Sequence, residues 1–195
     1  MLGGEAIIPH EWLGRMNAIP FKSHTPAQSQ IASLVPGCYF HDSWSVSAGD
    51  LQLSAMGQFL KAFSATPAWV NACMSIRNRA AAMVGLKNLG AFDQINKSKP
   101  ECDYKPDDRV GIFTLIANTF DEVLLGDKDK HLDVTLSVHR AVNANTNVVF
   151  VTVTTVVHVH NLLGRLYMLP VLPMHRIIAP SVLRAIALVP NAANE

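Results

Sequence analysis

Charge is what this 195-residue chain has least of. Asp, Glu, Lys and Arg make up 16% of it, against roughly 25% in ordinary soluble domains. Its 16 basic and 15 acidic residues leave a net charge of +1, with no basic stripe for a nucleic-acid backbone. Arg77 and Arg79 come nearest to a basic cluster and are too few. The three cysteines, Cys38, Cys73 and Cys102, are odd in number and far apart, and no CxxC or other zinc spacing occurs. Reduced thiols in a cytoplasmic protein are expected, with no metal and no cofactor. The start, MLGGEAIIPHEWLGRMN, has no basic n-region and no long apolar core, so no secretory signal is expected. Arg165, His175, Arg176 and Arg184 interrupt the apolar C-terminal region, so no membrane span is expected either. The G-x-S-x-G elbow, the P-loop and G-x-G-x-x-G are missing, which lowers the case for an enzyme without excluding one.

What is present is apolar: 49% of the residues. At this length that share fits one domain with a large core, a lined cavity or a buried subunit contact. Residues 1–30, with Pro9, Pro20 and Pro26, read as a partly irregular arm, partly pinned by Trp12 and Phe21. Residues 31–190 read as a single α+β domain, and 191–195 as a tail.

Within the domain, CYFHDSWSV alternates, with Phe40, Asp42, Trp44 and Val46 on one side, and predicts a first strand. Asp50 is placed to cap a helix through Phe63 with Leu53, Met56, Leu60 and Phe63 on one face. Thr66-Pro67 predicts a second helix, with Trp69, Cys73, Ile76, Ala80 and Met83 inward and Gly85 closing it. Residues 87–108 read as a long loop. The period then changes to two. Strands are expected at Val110–Ala117, Glu122–Leu125, along Leu132, Val134, Leu136 and Val138, and over Val148–His160, paired antiparallel through short turns. On the last strand the odd-numbered valines form a core face, while the face of Phe150, Thr152, Thr154, Val156 and His158 is expected to be solvated. Asn161 and Gly164 read as turn formers, and Pro173–Val189 as a helix kinked at Pro180 that must lie in a groove. The architecture expected is a curved antiparallel sheet packed on a long C-terminal helix, with two helices after the first strand.

Several polar residues are candidates for chemistry. His158 and His160 share a strand face roughly 6.6 Å apart by rise, half of a metal site that lacks a third ligand unless His131, Asp133 or His175 reaches it. Two partly exposed histidines at a strand end is the simpler account. His131 and Asp133 also share a face, and a carboxylate can orient an imidazole for general base work; a solvated pair is the plainer alternative. Arg77 is a candidate to pair inward with Asp42 or Asp133, most simply as a structural ion pair. Tyr167 offers a hydroxyl to a ligand or a single buried hydrogen bond.

The blocks TPAWVNACMSIRNRAAAMVGLK, DDRVGIFTLIANTFDEVLLGDKDKHLDVTLSV and VTVTTVVHVHNLLGRLYMLPVLPMHRIIAPSVLR resemble a bacterial family known as the domain of unknown function 2867. The resemblance runs over about residues 25–188, and Met174 stands where an aromatic residue is expected before the histidine. His131, Asp133, His160, Asn161, Gly164, Arg165, Tyr167, His175 and Arg176 fall on its motifs, and it carries no catalytic role to them. Members also occur joined to dinucleotide-binding domains. The element order resembles the helix-grip, or START-like, fold, which implies an apolar cavity between sheet and helix; fold likeness is a weak guide to function.

The resulting expectation is a small-molecule binding protein whose ligand, a small apolar molecule, sits between sheet and C-terminal helix. Its walls would come from Ile112, Thr114, Leu136, Thr154, Val156, Tyr167 and Ile177, and its polar contacts from Tyr167, Arg165, Asn161, His175, Arg77 and Thr154. The alternatives are a cyclase, hydrolase or isomerase using His131, Asp133, His158 and His160 for proton transfer, and a non-catalytic interaction module or homo-oligomer subunit.

Overall fold

The computed structural model describes residues 19–48, 52–83, 90, 95, 96, 99–143 and 147–187. The Asp50 cap, the Gly85 helix end, the Trp12 anchor, the C-terminal tail and much of the 87–108 loop lie outside them.

Among the described residues, seven strands form one antiparallel sheet: β1 (Phe21–Ser23), β2 (Phe40–Ala48), β3 (Arg109–Val110), β4 (Phe113–Asn118), β5 (Glu122–Lys128), β6 (Leu132–Asn143) and β7 (Val148–Val159). Their order is β1-β2-β7-β6-β5-β4-β3. From β4 to β7, each strand pairs with the next in sequence, as the short turns predict. The β2–β7 pairing is the non-local one, and it aligns Val46 with Val151 and Asp42 with Thr155. Two helices, α1 (Ala55–Ser64) and α2 (Ala68–Met83), lie in the chain between β2 and β3, near opposite edges of the sheet. The third helix, α3 (Leu162–Leu183), follows β7 and ends in a 3-10 turn, Arg184–Ile186. The α+β class is as expected.

The core fills the sheet face that carries the odd-numbered β7 valines. Val46, Val138, Val149, Val151, Leu125 and Leu115 meet Met56 and Phe59 of α1 there, all nearly inaccessible to water. At about 25 cal/mol per Å² of apolar area, this inner face is the main source of stability.

Several expectations change. Within the partly irregular arm, Phe21–Ser23 adds an edge strand against Ser43–Ser45 that no expected strand covered. Gly111, at φ +59°, breaks the strand expected at Val110–Ala117 into β3 and β4. Ser54 caps α1, accepting the Gly57 amide at 3.0 Å. Thr66 donates its hydroxyl to the Phe63 carbonyl instead of capping α2. Helix α2 is turned by about one residue: Val70, Met74 and Ala81 are buried, whereas Trp69 and Ile76 are exposed. Both stripes are apolar, so helical spacing alone does not choose between them.

The outer sheet face is also covered. Residues 24–38 fold over it, and Ile31 packs on Leu124 and Val156. Thr152 and Thr154 are therefore buried, with their hydroxyls on Ser45 and Ser43 at 2.7 and 2.9 Å.

Helix α3 begins at Leu162, well before the expected Pro173, and holds Pro170, Pro173 and Pro180 within it. Each proline removes a bond to the carbonyl four residues earlier. Those carbonyls belong to Leu166, Leu169 and Arg176, which are exposed, so water can satisfy them. The helix does not lie in an enclosing groove: Leu162, Leu166, Leu169 and Ile177 are all exposed. Residues 162–186 are long and apolar enough to cross a membrane by length and composition, with mean hydropathy 1.3, and here the helix packs against β2 and α1.

Candidate functional site

Three groups of polar side chains meet α3. The first surrounds its start. Asn161 is the N-cap: its Oδ1 accepts the Gly164 amide at 3.1 Å and lies 3.1 Å from His131 Nδ1. Its Nδ2 donates to the Lys130 carbonyl at 3.0 Å. The His160 amide donates to the His131 carbonyl at 2.9 Å. A Cβ on Gly164 would stand 2.3 Å from that carbonyl oxygen, so glycine is needed for the close approach. His160 Nε2 lies 3.2 Å from Asp133 Oδ1, with His160 exposed and Asp133 part-exposed. Val159, His160, Asn161, Leu162 and Arg165 line an open cleft of about 180 Å³ here. The structure thus gathers His131, Asp133, His160, Asn161 and Arg165, and most of their bonds tie the β5–β6 turn to the helix.

His158 takes a different direction, with Nε2 at 3.0 Å from the Leu34 carbonyl. The two imidazoles of His-x-His therefore serve different partners, and among the described residues no three metal-ligating side chains converge.

The second group is Arg77 and Tyr167. Arg77 Nε donates to the Tyr167 hydroxyl at 2.8 Å, and its guanidinium stands 5.1 Å from the ring centroid. It also donates to Asn78 Oδ1. The inward pairing with Asp42 or Asp133 is replaced by a link between α2 and α3.

The third group is the one in which buried polar atoms are left over. Asp42 lies on the inner face of β2 between Phe40 and Trp44, with its side chain 6% exposed. Trp44 Nε1 donates to Asp42 Oδ2 at 3.1 Å. His175 of α3 brings Nδ1 to 3.2 Å from the same oxygen, and its ring meets Phe40 edge to face at 5.6 Å. The Asp42–His175 approach is a close contact rather than an aligned hydrogen bond, because Nδ1 is buried without a hydrogen-bond partner, as is Asp42 Oδ1. Burial pushes the Asp42 carboxyl up; His175, Trp44 and Lys22 pull it down, and it ends below the usual carboxylate value.

The burial pattern of α3 frames this group. Its inward stripe is Gly164, Met168, Val171, His175, Ile178 and Val182. Gly164 and Met168 are buried near one end and Val182 and Leu183 at the other, but Val171, His175 and Ile178 between them remain part-exposed. Trp44, Val134 and Val153, on the inner sheet face, are likewise only part-buried. Thr154 and Val156 do not belong to this region, since their side chains point to the outer face. Ile177 points away from the sheet and is 55% exposed. A second open cleft, about 290 Å³, lies beside α1 along Leu60, Lys61, Ser64, Ile95, Asn96 and Lys99.

Sequence reasoning missed two carboxylates. Asp42 was considered only as a partner for arginine, yet it stands on the apolar face of its strand, a position that calls for a buried partner. Glu122 is 5% exposed and accepts from Ser137 at 2.7 Å, from the Gln30 amide at 3.0 Å and from Ser29. It fastens the N-terminal cover to the outer face, and no periodicity in the sequence signals it.

No curated protein and no solved structure matches the chain. The family model described as Protein of unknown function (DUF2867) matches residues 34–182. That span takes in β2, all three helices from α1 to the last turn of α3, and the Asp42–His175 contact, and the chain belongs to this family.

Proposed function

We propose that the protein binds a small, mainly apolar molecule between the inner face of β2, β7 and β6 and the middle of α3. The observation that carries this reading is the seating of α3. Its two ends are buried while its middle, at Val171, His175 and Ile178, stays part-exposed, as do Trp44, Val134 and Val153 on the inner sheet face. Apolar walls with one or two placed polar groups are the usual composition of a ligand site. Asp42 and His175 supply the polar groups, and the buried Asp42 Oδ1 lacks the hydrogen-bond donor it requires. This reading keeps the expected location and corrects its lining: Thr114, Thr154, Val156 and Ile177 drop out, and Trp44, Val153 and Ile178 enter.

The test is native mass spectrometry of the full chain beside Val153→Trp, which adds bulk at the proposed site, with 8-anilinonaphthalene-1-sulfonate as a fluorescent apolar probe. Wild-type protein should retain a small-molecule adduct or bind the probe saturably, and Val153→Trp should lose both. Equal adduct retention or equal probe binding by the two proteins, or neither adduct nor probe binding by wild type, removes the reading.

A further inference from the structure

We propose that Asp42 and His175 act as a proton-accepting pair toward a ligand with an acidic O–H or C–H at the end of an apolar body. This rests on the groove reading in one respect: the ligand must reach His175 between sheet and helix.

The argument begins with the ring of His175. Its Nδ1 faces Asp42 Oδ2 at 3.2 Å, and Phe40 packs edge-on against it. Nε2 has no hydrogen-bond partner among the described residues, while the side chain is 22% exposed. A carboxylate at Nδ1 favours the tautomer with the proton on Nδ1, which leaves the Nε2 lone pair free to accept one. Asp42 is held in turn by the Trp44 indole at 3.1 Å. A base oriented by a carboxylate, itself oriented by a third group, is the arrangement that general base chemistry uses. The imperfect Nδ1–Oδ2 alignment fits a pair that tightens when a substrate is present.

The surroundings decide for this pair over the other His–Asp contact. His160 and Asp133 are 42% and 30% exposed, so solvent screens them. The Asp42 side chain is 6% exposed, and its field acts through a medium of lower dielectric. Lys22 of β1 is the cation that also acts on Asp42. As His175 Nε2 takes the ligand's proton, the imidazole becomes imidazolium beside an Asp42 that stays ionised. The electron pair left by the proton remains on the ligand as an alkoxide or enolate, and the proton returns from Nε2 when that anion is quenched. Asp42 is a positioning residue in this scheme, because it acts through His175.

The probe is 5-nitrobenzisoxazole, an apolar molecule with an acidic C–H. Loss of its C3 proton to a base breaks the ring N–O bond, forms the nitrile and leaves the charge on a coloured phenolate oxygen. The full chain should convert it with saturation. His175→Gln and Asp42→Asn should each lower kcat by roughly a hundredfold, the low end of a positioned base's contribution, with KM little changed. Trp44→Phe keeps the ring and loses the donor, and should give a smaller fall in kcat. Circular dichroism of each variant tells a lost base from a lost fold. Saturable conversion that survives in folded His175→Gln overturns the pair and leaves the groove standing. A rate linear in probe, or no conversion by wild type, overturns the pair, and the adduct experiment with Val153→Trp then judges the groove separately.

Discussion

The start and the middle of α3 use similar residues to opposite ends. At the start, Asn161 spends both ends of its amide, on Gly164, His131 and Lys130, and the His131 carbonyl takes the His160 amide. In the middle, a histidine and a carboxylate approach each other, but Asp42 Oδ1 and His175 Nδ1 stay buried without a hydrogen bond. A satisfied polar group holds structure together; a buried one left unsatisfied calls for an explanation beyond the fold. The difference teaches that the HN-x-x-G-R block serves chiefly as a hinge pin, and that chemistry is better sought a few turns later.

The largest effect that would test this contrast is at Gly164. Alanine there gains helix propensity of about 1 kcal/mol but drives a Cβ to 2.3 Å from the His131 carbonyl. The clash should win, and Gly164→Ala should lose about 3 kcal/mol in urea unfolding. Asn161→Ala removes the helix cap and should cost about 1–2 kcal/mol, with faster amide exchange in the first turn of α3.

The acid limb of stability should sharpen the other side of the comparison. The folded pKa of Asp42 lies below its ordinary value of 3.8. Its contribution is therefore fully present above about pH 3.8 and is lost as pH falls through the lower folded value. Asp42→Asn should flatten the fall in melting temperature over that acid window; an unchanged slope would show that the pair does not stabilise the fold. The smallest effect belongs to the outward face of α3. Leu166→Gln replaces a side chain that is 56% exposed and should stay within about 0.5 kcal/mol of wild type.

Much of the fold was legible because it rests on local patterns. The alternation of Leu132, Val134, Leu136 and Val138 and of the β7 valines set the strands and their inward face, and short turns set the antiparallel neighbours. Less legible were features settled by competition. Both stripes of α2 are apolar, and packing chose Val70 and Met74 over Trp69 and Ile76. Asn161 and Gly164 read as turn formers with a helix only from Pro173, yet Asn161 caps a helix that starts at Leu162. Of the candidate site residues at the helix start, His160, Asn161 and Arg165 are neighbours in the chain, whereas His131 and Asp133 join them only through the β6–β7 ladder, which sets Leu132 against Val159. The pairing of Asp42 with His175 was not legible, since 132 intervening positions separate them and only the β2–β7 ladder brings them near.

What the sequence determined by itself, then, is periodicity: where strands β2 and β4 to β7 and the first two helices lie, and which face of the β7 ladder is oily. These follow from side-chain spacing against backbone geometry, a property of each segment alone. Tertiary structure decided the rest. It placed β7 between β2 and β6, laid residues 24–38 over a face that would otherwise meet water, and set His175 against Asp42. Those outcomes depend on which surfaces exclude water together and which polar groups are left to be matched, and a single segment carries no record of either.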